Sequence, residues 1–273
     1  ELSNHELVGL TIRVFALLRK EFSSIIGLNQ VKETMYQMAN KLILDRKRMM
    51  NNIGTNPLSQ DMILTGSPGV GKTSIARLIH KLYLRMGMIS KKELIEVQRS
   101  DLVVGYIGQT STKTRRVIER ARGGILFVDE AYRLSNDASG RDFGREAIEE
   151  IMQALQSPDL IVIFAGYPED MARFEQTNDG LFRRIAFRVH FENYSIEEIA
   201  KIVFIQVPQH HYTMDSNVSL EWMIQLLDAG TTVEIRSKMN GGLAAKLVEY
   251  SIRCQNDLLS LDAAPEELQL LKR

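Results

Sequence analysis

The 273-residue chain sets 34 Lys and Arg against 34 Asp and Glu, and 44% of its residues are apolar. The even balance excludes a global basic field that would draw it to nucleic acid or an anionic membrane, and the apolar share excludes a disordered polar chain. A single cysteine, Cys254, excludes an internal disulfide framework and any cysteine-rich metal site, which is the usage expected of an intracellular, reducing compartment.

The opening ELSNHELVG lacks the basic start and apolar core of a secretion signal and lacks an initiator Met, so it reads as the start of an excised piece. Helical spacing follows over 4–22, through Leu7, Leu10, Val14, Leu17 and Leu18, and over 29–50, through Val31, Met35, Met38, Leu42 and Ile43. The basic run DRKRMM closing the second helix is placed where the helix dipole favours cations. Nowhere does an apolar run approach the roughly 20 residues needed to span a bilayer.

After the turn chemistry of NNIGTNP, short apolar runs alternate with helical segments. The runs Met62–Thr65, Leu94–Val97, Ile125–Val128, Ile161–Phe164 and Val189–Phe191 predict strands, and 72–88, 111–122 and 144–157 predict helices between them. Three of the runs are almost unbroken Ile, Leu, Val and Phe, the mark of strands covered on both faces. The pattern is a doubly wound α/β fold with a parallel five-stranded sheet sandwiched by helices. Beyond Phe191 the strands stop. Ser195-Ile-Glu-Glu198 is a capping box, and 219–229, 236–256 and 264–272 also read as helical. The adjacent His210 and His211 lack further ligands at metal spacing and read as a surface loop.

GSPGVGKT at 66–73 completes G-x-x-x-x-G-K-[ST] between the strand MILT and the helix SIARLIHKLYLRMG. Gly66, Gly69 and Gly71 let the backbone aim its N–H groups at phosphates, at the positive end of the helix dipole. The candidate binding set is Ser67, Pro68, Gly69, Val70, Gly71, Lys72, Thr73 and Ser74, with Lys72 a point charge at the β/γ-phosphates and Thr73 a hydroxyl for Mg²⁺. A glycine turn arising by chance is the competing explanation, and the flanking strand and helix weigh against it.

In ILFVDEAYRL a buried strand delivers Asp129 and Glu130 to its carboxyl end, where ligands of such sheets bind. Asp129 is placed to hold Mg²⁺, directly or through water, and Glu130 to polarise an attacking water. An isolated acidic pair would more often just begin a loop; a second phosphate-site element at the right topological place changes that.

These motifs resemble the AAA+ ATPases. More narrowly, EVQRSDLVVGYIGQT, KTRRVIERARGGILFVDEAYRL, VIFAGY and GLFRRI resemble the subgroup containing the red-type Rubisco activase, the stage V sporulation protein K and related modules fused to ankyrin repeats, over most of residues 22–255. The resemblance implies a P-loop AAA+ module with a small all-helical lid domain. The organisation then reads as an N-terminal helix and linker over 1–22, a large ATPase domain over 23–192 and the lid over 193–273. It further implies ATP and Mg²⁺ as ligands, a homo-oligomeric ring, usually a hexamer, when ATP is bound, and a protein client that the chain does not identify.

Position by position, the resemblance implies that Tyr106-Ile107-Gly108 is a pore loop whose aromatic residue grips polypeptide, an exposed paddle between glycines. It makes Arg184, with Arg183 close behind, the arginine finger that reaches a neighbour's γ-phosphate. Tyr167 is the nearest candidate for the polar sensor that orients water, and Ile26 and Gly27 match the segment lying along the adenine. One departure stands out: KMNGGLAAKLVEY lacks the lid arginine of many relatives, and Lys246 lacks the planar fork to replace it fully. That absence favours a nucleotide-controlled scaffold that hydrolyses little, whereas Lys72, Asp129, Glu130 and the arginine pair favour a motor. An aromatic pore segment and zero net charge argue against a DNA-acting member.

Overall fold

The computed structural model describes residues 4–53, 59–106, 109–135, 143–260 and 267–271. The chain divides into two compact units. One holds the described residues up to Phe22, Asn29–Gly66 and Lys72–Phe191; the other holds Ser23–Leu28, Ser67–Gly71 and the described residues from Glu192 onward.

The first unit begins with α1 (Asn4–Ser23) and α2 (Asn29–Met50), whose apolar stripes are buried at Leu7, Leu10, Val14 and Leu18 and at Val31, Met35, Met38 and Leu42. Phe22 meets the Tyr36 ring edge-on at 5.2 Å and joins the two helices. The strands β1 (Met62–Gly66), β2 (Ile95–Val97), β3 (Gly124–Val128), β4 (Leu160–Gly166) and β5 (Phe187–Phe191) form a parallel sheet in the order β2-β3-β4-β1-β5. Every residue of β3 and β4 is buried, as their apolar composition demands.

Around the sheet run α3 (Lys72–Arg85), α4 (Arg99–Leu102), α5 (Gln109–Ala121), α6 (Phe143–Ala154), α7 (Pro168–Thr177) and α8 (Asp179–Phe182). The core joins Leu126, Val128, Val162 and Phe164 of the sheet to Val117, Ile148 and Phe174 of the helices. Each such side chain taken from water contributes about 1.5–3 kcal/mol. Register decides the site: Val128 lies opposite Phe164, and Thr65 opposite Gly166, so the carboxyl ends of β3, β4 and β1 stand side by side.

The second unit is built on α9 (Ile196–Gln209), α10 (Leu220–Gly230), α11 (Val233–Met239) and α12 (Gly241–Leu258). The capping box forms as expected, with Glu198 N–H donating to Ser195 Oγ and Ser195 N–H to Glu198 Oε2. Two expectations are corrected. The helix expected over 236–256 is broken at Asn240, whose φ of 48° cannot continue a right-handed helix. Within 264–272, the described residues form a 3-10 turn, Glu267–Gln269, and β7 (Leu270–Leu271), which pairs in parallel with β6 (Thr213–Met214). The unit is therefore mainly but not wholly helical. So short a segment gains little from starting a helix, whereas pairing extended gives its backbone partners and seats Leu271 in the core with Val203, Leu227 and Val248. Among the described residues no helix is long and apolar enough to cross a membrane, and no group of His, Cys, Asp and Glu could hold a metal by itself.

Candidate nucleotide site

In the first unit Lys72 opens α3, and its Nζ donates to Gly66 O at 2.7 Å. Lys72 as a whole residue is buried. Burial pushes its pKa down, while the charges of Asp129 and Glu130 pull it back up. Thr73 follows, half-buried in the first turn of α3, and Ser74 is exposed.

Asp129 and Glu130 leave the end of β3. The Asp129 N–H donates to Val97 O at 2.9 Å, holding the turn to the neighbouring strand, and Asp129 Oδ1 accepts the Glu130 N–H at 3.0 Å. Glu130 has φ 50°, a left-handed conformation uncommon for a residue with a side chain and one that recurs where function fixes the backbone. Burial is the main cause that raises the Asp129 carboxyl above its ordinary value, with the Glu130 charge adding to it.

Tyr167 stands one residue beyond β4, the strand between β3 and β1, and spans the gap. Its hydroxyl donates to Glu130 Oε1 at 3.1 Å, and its ring lies 5.5 Å beneath Lys72 Nζ. Burial and then the bond to Glu130 push the phenol up to about 12. Lys72, Glu130 and Tyr167 thus form one contiguous cluster from three neighbouring strand ends.

Two members of this cluster escaped sequence reasoning. Arg133 Nε pairs with Glu130 Oε2 at 2.9 Å, and the Tyr132 ring packs 5.5 Å from that of Tyr167. Both lie in the 3-10 turn Ala131–Ser135; the signal was an arginine three residues after the acid, which meets it only once that turn forms.

The second unit contains the loop Ser67–Gly71 together with Ile26 and Gly27, both half-buried. Gly69 has φ 72°, and a Cβ there would collide with Met239 O, so glycine is required twice over. Asn240 Nδ2 donates to Pro68 O at 3.1 Å, Gly241 N–H to Gly69 O at 3.1 Å, and Tyr194 Oη to Val70 O at 3.2 Å. Gly27, at φ 60°, backs directly onto the carboxylate of Glu198. Lys246 is exposed on α12.

Arg183 and Arg184 are exposed on the turn after α8, and Arg184 Nη1 donates to Met152 O at 3.2 Å. Tyr106 is 70% exposed, while the loop behind it is pinned by the buried Thr110, whose hydroxyl accepts the Val104 N–H and donates to Val104 O, both at 3.1 Å. Ile107 and Gly108 lie outside the described residues.

Residues 62–193 match the model of the ATPase family associated with various cellular activities (AAA). The chain is 39% identical over 228 residues to the chloroplastic ribulose bisphosphate carboxylase/oxygenase activase of Cyanidioschyzon merolae, covering 82% of this chain and 78% of the relative. It is 34% identical over 242 residues to stage V sporulation protein K of Bacillus subtilis, covering 87% and 74%. It is 40% identical over 192 residues to protein CbbX of Cereibacter sphaeroides, covering 70% and 62%. The chain belongs to the AAA family of ATPases, in the subgroup these relatives represent, and its reaction is the hydrolysis of ATP to ADP and phosphate.

Proposed function

We propose that the chain is the motor of an ATP-driven remodelling machine that acts on a protein client through a homo-oligomeric ring. The observation that carries this reading is the cluster at the strand ends: a buried Lys72, the strained Glu130 and the Tyr167 hydroxyl bridging toward it. Such a constellation suits phosphoryl transfer, which needs positioned charge more than covalent chemistry. In this reading the loop 66–73 cradles the phosphates, Lys72 neutralises charge at the β/γ position, Glu130 polarises water, and Tyr167 orients it. Thr73 and Asp129 supply hard oxygen donors of the kind Mg²⁺ takes, and the ion would offset charge on the phosphates. Ile26 and Gly27 border the base. The large domain spans 23–192 and the lid 193–273, with 1–22 preceding them.

Arg184, or Arg183 beside it, acts in a neighbouring subunit's site. Exposure on a short turn supports that role, since a finger must project beyond its own subunit. Tyr106, exposed on a pinned loop, presents apolar area to a client. The relatives' names point to Rubisco in one case and sporulation in another, so the client class taken here is simply a folded protein or its exposed end.

Glu130→Gln with ATP tests the reading. It should hold ATP without turnover and accumulate as a ring in mass photometry. Unimpaired hydrolysis in that variant would sink the assignment of Glu130, and a monomer with ATP bound would sink the ring. A scaffold that hydrolyses little is the second reading, favoured by the missing lid arginine in KMNGGLAAKLVEY. Steady-state phosphate release that stays negligible at every protein concentration would select it.

A further inference from the structure

Asn240 is wholly buried between α11 and α12, at φ 48° and ψ −127°, a backbone conformation that side chains rarely adopt. Strain of this kind persists only where the surroundings over-determine it, and here they do. The Asn240 amide hydrogens are shared among Ser237 O (2.7 Å), Pro68 O (3.1 Å) and Asn193 Oδ1 (3.2 Å), while Oδ1 accepts the Tyr194 N–H at 3.0 Å. The residue that follows it donates to Gly69 O, and the tyrosine it holds donates to Val70 O. Three consecutive carbonyls of the loop are therefore gripped by one cluster centred on Asn240.

A trans peptide is planar, so fixing the direction of one residue's carbonyl fixes the opposite direction of the next residue's N–H. Holding the carbonyls of Pro68, Gly69 and Val70 sets the N–H groups of Gly69, Val70 and Gly71. Those are the donors with which a loop of this type cradles phosphate.

We propose that Asn240 is a positioning residue for nucleotide binding: it orients the donors of the phosphate loop and couples the break between α11 and α12 to the loop's occupant. The coupling runs through backbone carbonyls and needs no arginine reaching the phosphates. It rests on the reading of residues 66–73 as the phosphate loop.

Asn240→Gly separates this role from a structural one, because glycine accepts the same backbone angles without strain yet removes every side-chain bond. In the full chain the lost buried hydrogen bonds should lower its melting temperature, relief of backbone strain offsetting part of that loss; a cooperative melt shows that it still folds, and it should bind ADP about tenfold more weakly by calorimetry. Hydrogen exchange of the first turn of α12 should slow on adding ADP to the native chain and change little in the variant. Tyr194→Phe, which deletes only the donor to Val70 O, should weaken ADP binding by about threefold and keeps the test open if the first variant folds poorly. Native ADP affinity and a native exchange response in both variants would overturn the proposal. Lys72→Ala is the control for its premise: if that variant also binds ADP normally, the phosphate-loop reading fails, whereas loss of binding in Lys72→Ala alone leaves that reading intact and sinks only the role of Asn240.

Discussion

The Tyr167 hydroxyl donates to Glu130 Oε1 at 3.1 Å, so the side chain leaving β4 holds the acid leaving β3. A hydrogen bond to a charged group contributes about 1.5–3 kcal/mol, which corresponds to roughly a 10- to 100-fold change in rate where it serves the transition state. Tyr167→Phe should lower kcat within that range and leave KM for ATP nearly unchanged, measured by coupled phosphate release. With the phenol pushed up to about 12, the hydroxyl remains a donor throughout the neutral range, so the defect should not depend on pH there. A variant with native kcat would remove Tyr167 from the mechanism.

Asp129 carries a stability cost that its proposed role at Mg²⁺ would explain. Its carboxyl is raised from the ordinary 3.8, chiefly by burial, so the folded state holds a proton more tightly than the unfolded state does. The ionised form is the one the fold penalises: the cost is present above the folded pKa and disappears as pH falls below the unfolded one. Asp129→Asn should therefore raise Tm at neutral pH, by an amount that shrinks toward pH 4, while turnover is lost. Thermal melts across pH, beside an activity assay, check both parts; a lower Tm at neutral pH would contradict the assignment of burial as the dominant cause.

If Arg184 serves a neighbour's site, inactive variants should rescue one another. Arg184→Ala supplies an intact Glu130 and Glu130→Gln an intact Arg184, so an equimolar mixture should regain activity that neither has alone. Native specific activity should also rise with protein concentration. A mixture that stays silent, with assembly verified, points to Arg183 or to a finger in cis.

Asp61 offers a purely structural contrast. It is 3% exposed at the amino end of β1, where Oδ1 accepts the Val162 N–H at 2.7 Å and Oδ2 the Ser59 hydroxyl at 2.6 Å. Asp61→Ala leaves a buried N–H without its acceptor and should cost about 1–3 kcal/mol by urea denaturation. Because the cluster of Lys72, Glu130 and Tyr167 lies at the opposite ends of the strands, kcat per folded molecule should hold. A large fall in kcat with unchanged stability would refute this division.

Much of the molecule is written locally in its chain. The runs around Met62, Ile125 and Ile161 had to be buried strands because nearly every residue in them is apolar, and Ser195 with Glu198 had to start a helix because each satisfies the other's backbone. The placement of GSPGVGKT and of the acids after ILFV at strand ends was legible for the same reason: such motifs have fixed spacing beside a strand. What the sequence could not determine was which distant groups would meet. Tyr167 reaches Glu130 only because β4 lies between β3 and β1, and Asn240 reaches Pro68 across 172 positions of chain. The positive-φ backbone at Glu130 and Asn240 was equally hidden, since Glu rarely adopts it, Asn does so only at some positions, and packing decides which. Local spacing decides the elements and the G-x-x-x-x-G-K-T run at a strand end; strand order and buried hydrogen bonds, which pair groups without regard to sequence distance, decide what holds residues 67–71 and Glu130 in place.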